Sequence, residues 1–304
     1  MTSSKTLIVI VGPTAIGKTS LSLAFAKAYK THILSCDSRQ FFKEMSIGTA
    51  VPTIEELAEA PHHFIQNLSI HDKYSVGDFE KDAMKLLTEL FSEHDVVVLV
   101  GGSALYEKAV THGLDDFPDV DPAIITDLEK ELEKQGIENL QHQLREIDPE
   151  YYKEVDLENP RRLIRALSIY KSSGITYSSL RSQKKASRPF KIVKIGLEAP
   201  REELYDRINK RVDLMLEMGL ETEAKEQYEF KNLNALKTVG YQEFYGHFDG
   251  NYSHEEAIRL IKRNTRRFAK RQLTWYRKDP DVTWFPYRTR HTDIVQRVRK
   301  ELMD

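Results

Sequence analysis

Gly12, Pro13, Thr14, Ala15, Ile16, Gly17, Lys18 and Thr19 fit the spacing G-x-x-x-x-G-K-[ST] and follow directly on the apolar run Thr6–Val11. That spacing needs a buried strand before it and a helix after it. The helix reads from Lys18 to about Tyr29, with Leu21, Leu23, Ala24, Ala26 and Ala28 as its apolar surface. The chemistry is anion binding. Gly12 and Gly17 let the backbone curl so that several N–H groups point inward, and the helix N-terminus adds partial positive charge. Lys18 supplies a point charge for outer phosphate oxygens, and the hydroxyl of Thr19 suits Mg²⁺ as cofactor. A glycine turn without a ligand is the plain alternative; four fixed positions in the right setting argue against it. A polyphosphate is expected here.

Asp37 closes a second apolar run, His32–Cys36. In an open parallel sheet, ligands lie beyond the carboxyl ends of the strands. Its carboxylate therefore faces the same crevice, where it can hold metal, cap the following turn or act as a general base. Val100-Gly101-Gly102-Ser103 ends a third run in the same way; the glycines permit close backbone approach, and Ser103 is a candidate N-cap. No acidic residue follows this strand, which weakens a nucleotide-hydrolase reading. Arg259, Lys262, Arg263, Arg266, Arg267, Lys270 and Arg271 recur at three- and four-residue steps within Ser253–Lys278, opposite Ile258, Ile261, Phe268 and Tyr276. Like charges at i,i+4 repel, so the stripe calls for a polyanion, either a nucleic-acid backbone or a diphosphate. Arg161, Arg162 and Arg165 open a helix behind Asn159-Pro160 and offer further phosphate contacts. Arg207 and Arg211, one turn apart, can reach the crevice. Phe41 and Phe42 stack on bases or fill the core, and His62-His63 lacks other metal-ligand spacing and reads as structural.

The elements that must position these groups alternate strand and helix. Thr6–Val11, His32–Cys36 and Val96–Val100 are separated by helical patterns, among them Gly77–Glu93 with Phe79, Ala83, Leu86, Leu87, Leu90 and Phe91 at helical spacing. This order implies an α/β fold, a parallel sheet with helices on both faces. A further strand, Lys191–Leu197, comes after a long gap. Residues 119–188 carry no strand signal and read as helices broken at Gly136, Pro149, Pro160 and Gly174, an insertion bounded by the turn-rich segments Asp115–Pro122 and Ser182–Pro189. The expected domains are residues 1–118 with 189–304, and the helical insertion 119–188. After Leu197 the chain reads as Arg201–Tyr228 with a break at Gly219, a looser part Asn232–Tyr252, then Ser253–Lys278 behind the capping box Ser253–Glu256, and a last helix Thr292–Leu302.

Composition narrows the partners. The 304 residues include one cysteine, Cys36, which excludes a disulfide framework and a cysteine zinc site and suits a reducing cytoplasm. No apolar run approaches membrane-spanning length and no export leader is read, so a cytoplasmic protein without membrane contact is expected. The net charge of −2 hides an asymmetry: residues 1–160 carry 14 Lys and Arg against 28 Asp and Glu, residues 161–304 carry 31 against 19. A segregated basic half points to a polyanionic partner larger than a nucleotide. No apolar stripe demands a second copy, and a monomer is expected.

With these residues in hand, the chain resembles the tRNA dimethylallyltransferases, or tRNA isopentenyltransferases, the IPP transferase family. The matching stretches are GPTAIGKT at Gly12–Thr19, DSRQFFKEMSIGTAVP at Asp37–Pro52, APHH at Ala60–His63, YSVGDF at Tyr74–Phe79, VGGSALY at Val100–Tyr106, NPRRLIRAL at Asn159–Leu167, VGYQE at Val239–Glu243 and AKRQLTWYR at Ala269–Arg277. They span nearly the whole chain in the family's order. The resemblance implies a phosphate-loop α/β core with a helical insertion that grips a tRNA anticodon stem-loop. It implies transfer of a dimethylallyl group from dimethylallyl diphosphate to N6 of the adenosine 3′-adjacent to the anticodon, the loop holding the diphosphate leaving group. Asp37 is then the general base, Arg211 a diphosphate contact, and Ser103 a further catalytic residue that stands where the family usually has Thr and keeps the hydroxyl for a hydrogen bond to substrate. Segments matching the family's tRNA contacts are Asp37, Ser38, Arg39 and Gln40, with Ser103; Arg161, Arg162, Leu163, Ile164 and Arg165; Thr238, Val239, Gly240, Tyr241, Gln242 and Glu243; and Lys270, Arg271, Gln272, Leu273, Thr274, Trp275, Tyr276 and Arg277. A small-molecule or nucleoside kinase would share the loop and sheet, and a non-catalytic tRNA-binding module would share the basic helix. The insertion and the stripe argue against the kinase.

Overall fold

The computed structural model describes residues 5–181 and 187–303. Six strands, β1 (Thr6–Val11), β2 (Ile33–Ser35), β3 (His62–His63), β4 (Val96–Val100), β5 (Lys191–Glu198) and β6 (Val282–Pro286), form one sheet in the order β3-β2-β4-β1-β5-β6. Every neighbouring pair is parallel. The β1 side chains are all buried, because helices cover both faces of a parallel sheet and leave no solvent side to alternate with. The helices α1 (Lys18–Tyr29), α2 (Ile54–Glu59), α3 (Val76–Glu93) and α4 (Ala104–His112) lie between β1 and β5 in the chain. Ile8 and Ile10 of β1 pack with Leu21 and Phe25 of α1. Leu7, Val9 and Val11 pack on the opposite face with Phe79, Ala83 and Leu87 of α3. The doubly covered parallel sheet expected from the strand–helix alternation is therefore present.

Residues 112–187 form a second compact unit. It holds α5 (Pro122–Gln135), α6 (Ile137–Ile147), α7 (Pro149–Glu154), α8 (Pro160–Ser173) and α9 (Tyr177–Leu180). Three of these start on the pattern that a proline at the first position and an Asp or Asn cap dictate: Asp121, Asp148 and Asn159 each accept a backbone N–H. Leu128, Leu140, Leu144, Leu163, Ile164 and Leu167 make this unit's own core. The unit begins before residue 119, since Phe117 stacks on Tyr177 with ring centroids 4.8 Å apart. The expected boundary segment Ser182–Pro189 lies in part outside the described residues.

Beyond β5 come α10 (Arg201–Glu217), α11 (Leu220–Glu226), α12 (Tyr241–Phe248), α13 (His254–Tyr276) and α14 (His291–Met303). Leu204 and Ile208 of α10 and Ile294 and Val298 of α14 join the α1 face of the sheet. Three elements escaped the periodicity reading. The sheet-edge strand β3 is two residues long, too short to show a pattern, and β6 interrupts its apolar residues with Thr283 and ends on Pro286, which weakens a strand signal. The helix α12 carries Gly246 between Gly240 and Gly250, which lowers its apparent propensity. The capping box at Ser253 is half formed: Ser253 accepts from the Glu256 N–H, but the Glu256 carboxylate is bound by Arg259. Phe268, expected on the buried side of α13, is exposed, and Phe41 and Phe42 belong to the core.

One buried ion cluster ties β5 to α4 and to the segment after α13. Lys194 of β5 meets Glu107 of α4 at 2.9 Å and Asp279 at 2.7 Å, with Lys194 4% and Glu107 3% exposed. Removing one partner strands a charge in a low-dielectric interior. Lys194→Met is therefore expected to destabilise the protein by about 3–5 kcal/mol in urea unfolding. The double change Lys194→Met with Glu107→Leu should recover a good part of that loss.

Candidate active site

The carboxyl ends of β1, β2 and β4 lie side by side, because Ile10 is in register with Val100 and Ser35 with the same Val100. The phosphate loop leaves β1 at Gly12, whose φ is 140° and where a Cβ would fall 2.7 Å from the Leu197 carbonyl oxygen. Within the loop, Lys18 Nζ donates to the Pro13 carbonyl at 2.8 Å, and Arg207 Nε donates to the Ala15 carbonyl at 2.8 Å. Ala15 holds φ 62°, a left-handed conformation that an L-residue adopts at a cost. Arg211 Nη1 reaches the Thr14 hydroxyl at 3.4 Å. Three cations thus converge on one curl of backbone, which is what a polyphosphate requires.

That crowding leaves its mark on Lys18. Burial lowers its ammonium from 10.5 to about 8; the Asp37 carboxylate opposes the fall and Arg211 adds to it. Burial likewise lowers Arg211, again against Asp37. A bound diphosphate favours the charged ammonium, so above a pH of about 8 its binding must take up a proton. Pyrophosphate affinity is therefore expected to fall with rising pH above that value, by up to about tenfold per pH unit. Lys18→Met should remove this part of the pH dependence, as calorimetric titration in two buffers will report.

Asp37 stands two residues beyond β2. Its Oδ1 accepts the Arg39 N–H at 3.2 Å, so it does close a turn, and it also lines the cleft that the phosphate loop lines. Gly101 makes this approach feasible: a Cβ there would fall 2.8 Å from the Asp37 nitrogen and 2.6 Å from Cys36 Sγ. The Ser103 hydroxyl does not cap α4. It accepts the Ser38 N–H at 3.0 Å and lies 3.1 Å from Ser38 Oγ, joining the ends of β2 and β4.

The cleft measures about 1000 Å³. One wall is the loop with Lys18, Arg207 and Arg211; the rest includes Ile47, Val51, Ile54, Leu57, Leu214, Met215, Met218 and Phe268. Ile54, Leu214, Met218 and Phe268 are also exposed, and apolar side chains left open around a polar site mark a ligand surface. Phe268 apart, these residues carried no expectation from the sequence, and the signal available there is the surplus of Leu214, Met215 and Met218 beyond the α10 core stripe. For Mg²⁺ the donors fit. Thr19 and Asp37 line the same cleft, and this cation takes one or two protein oxygens together with phosphate oxygens. Among the described residues no group of three or more His, Cys, Asp or Glu is placed to form an all-protein cage.

A family model described as IPP transferase matches residues 40–279. A relative in Christiangramia forsetii, named tRNA dimethylallyltransferase, is 58% identical over 299 residues, covering 98% of this chain and 99% of the relative. The chain belongs to the IPP transferase family. Among solved structures, the tRNA isopentenylpyrophosphate transferase of Bacillus halodurans is 38% identical with a TM-score of 0.74, over 98% of this chain and 97% of its own. A eukaryotic dimethylallyltransferase acting on tRNA is 25% identical with a TM-score of 0.79, over 93% of this chain and 74% of its own.

The segments of this IPP transferase expected to meet RNA divide into surface and interior. Arg161, Arg162 and Arg165 are exposed on α8, and Lys270, Arg271, Thr274, Trp275 and Arg277 are exposed on or just after α13; Gln242 is exposed on α12. Thr238, Val239 and Leu273 are half-buried. Leu163, Ile164, Tyr241, Glu243, Gln272 and Tyr276 are buried and Gly240 has no side chain, so within these segments the side chains open to a partner are those of the exposed and half-buried positions. The reason is helical geometry, which turns every third or fourth residue of a contiguous stretch inward. Tyr241 donates to Glu223, whose carboxylate also accepts the Ser46, Ile47 and Gly48 N–H groups. Glu243 accepts from the Gly240 N–H and Asn264. Arg39 donates to the Asn234 and Ala235 carbonyls, away from the cleft lining, whereas Gln40 donates to those of Thr49 and Ala50, with which it lines the cleft. The basic stripe is also partly neutralised, Arg259 by Glu256 and Lys262 by Asp213, while Arg266 keeps its charge and donates to Asn209.

Proposed function

We propose that this IPP transferase moves a dimethylallyl group from dimethylallyl diphosphate to N6 of the adenosine 3′-adjacent to the anticodon of a tRNA, releasing diphosphate. The observation that carries the reading is one cleft holding a phosphate loop with its cations, an apolar wall and the Asp37 carboxylate. The loop and Lys18, Arg207 and Arg211 receive the diphosphate, and the apolar wall takes the five-carbon chain. The N6 lone pair is delocalised into the adenine ring and makes a weak nucleophile, so the leaving group must be made good. Lys18 and Arg211 neutralise charge as the C1–O bond breaks and the diphosphate departs. N6 forms the new bond to C1, and its proton passes to Asp37. Mg²⁺ held at Thr19 would share in neutralising the departing diphosphate. The adenosine leaves its stack to reach the cleft, which the loop of an anticodon stem-loop permits at low cost.

The family relative's name supports this substrate class, and the exposed arginines of α8 and the exposed face of α13 supply the phosphate contacts an RNA needs. Among the described residues no helix is long and apolar enough to cross a membrane. A tRNA substrate is met in the cytoplasm, and the proposed enzyme acts there as a monomer. Incubation with labelled dimethylallyl diphosphate and an anticodon stem-loop RNA tests it. Label in RNA with release of diphosphate is expected; RNA that stays unlabelled while ATP is consumed with small acceptors overturns it.

A further inference from the structure

Gln272 lies on α13 in the segment where RNA contact was expected, yet it is 4% exposed and both ends of its amide are engaged. Its Oε1 accepts the Thr14 N–H at 2.9 Å, and its Nε2 donates to the Gly102 carbonyl at 2.9 Å. The first bond reaches the phosphate loop and the second the residue before Ser103. The Pro13–Thr14 peptide is thereby pinned at both poles, since Lys18 holds the Pro13 carbonyl at 2.8 Å. Space around the amide is closed: a Cβ at Gly102 would fall 2.3 Å from Nε2 and 3.5 Å from Asp37 Oδ2. Meanwhile Arg267, Lys270, Arg271, Thr274 and Trp275, within five residues of Gln272, are exposed.

We propose that Gln272 is a positioning residue that couples the RNA-facing side of α13 to the phosphate loop, so that RNA held on the helix tightens the hold on diphosphate. The inference rests on the reading that RNA lies along α13. RNA that fixes the helix fixes the amide, and the amide holds one loop peptide in register with the Gly102–Ser103 turn. The second ligand then meets a site whose ordering cost has been met by the first.

The test titrates inorganic pyrophosphate into the full chain with and without saturating stem-loop RNA, and measures RNA affinity separately. In the unaltered protein RNA is expected to tighten pyrophosphate binding about tenfold, within the usual range of coupling. Gln272→Leu should reduce that factor below about twofold, the factor being the ratio of pyrophosphate affinities with and without RNA in the same variant. Gln272→Glu keeps the acceptor for Thr14 and loses the donor to Gly102, so it should give an intermediate factor; it carries the test if Gln272→Leu does not fold. RNA bound without any effect on pyrophosphate, or coupling unchanged in both variants, overturns the proposal alone. Failure of the unaltered protein to bind RNA overturns it together with the functional reading.

Discussion

Replacing Asp37 with Asn is expected to slow transfer by about 10²–10⁴-fold while RNA affinity changes little. The substitution keeps the shape of the side chain and an oxygen for the Arg39 N–H, so the turn behind β2 is retained. The Ser38–Ser103 bond that joins the ends of β2 and β4 does not involve the carboxylate. What is lost is the only group in the proposed mechanism that accepts the N6 proton. The carboxylate also supports the Lys18 ammonium, so the comparison belongs below neutral pH, where Lys18 stays charged in either protein. Single-turnover transfer of label into stem-loop RNA measures the chemical step, and filter binding measures the complex. A transfer rate within about threefold of the unaltered enzyme would remove Asp37 from the role of base.

Lys18→Met carries the second large effect, a loss on the order of 10²–10³-fold in kcat/KM for dimethylallyl diphosphate. Two contributions vanish together: the positive charge beside the departing diphosphate and the brace on the Pro13 carbonyl. The pH profile separates them. With Lys18 present, activity limited by diphosphate binding should decline as pH rises through about 8, because the buried ammonium then gives up its proton. For stability the sign is opposite. The unfolded chain, with Lys18 near 10.5, binds more protons between that value and about 8, so this group's contribution to stability rises with pH across the window. A variant that loses activity yet keeps the decline above that pH would place the titrating group elsewhere.

The phosphate loop, the four interior strands and the amphipathic helices were legible because each is written locally. Glycine positions, apolar runs and three- or four-residue spacing lie within one turn or one strand of each other. The basic helix was legible as a helix but less so as a charge. Its expected seven-cation stripe loses Arg259 to Glu256 within the helix and Lys262 to Asp213 on α10. The RNA-facing segments were legible as segments only. Within Lys270–Arg277, Gln272 and Tyr276 turn inward beside Ala269, while Arg271, Thr274 and Trp275 turn out.

By itself, then, the sequence determined that a phosphate-binding loop sits between a buried strand and a helix, and that a carboxylate and a hydroxyl end the neighbouring strands. Those features rest on backbone sterics and helix dipoles, which act over a few residues. Only the tertiary structure decided what the loop is fastened to. Thr14 meets Gln272 across 258 positions, Arg211 across 197, and Ala15 meets Arg207 across 192. A hydrogen bond between such distant residues leaves no period in the chain; it exists because parallel strands bring their carboxyl ends together and α10 and α13 close over them.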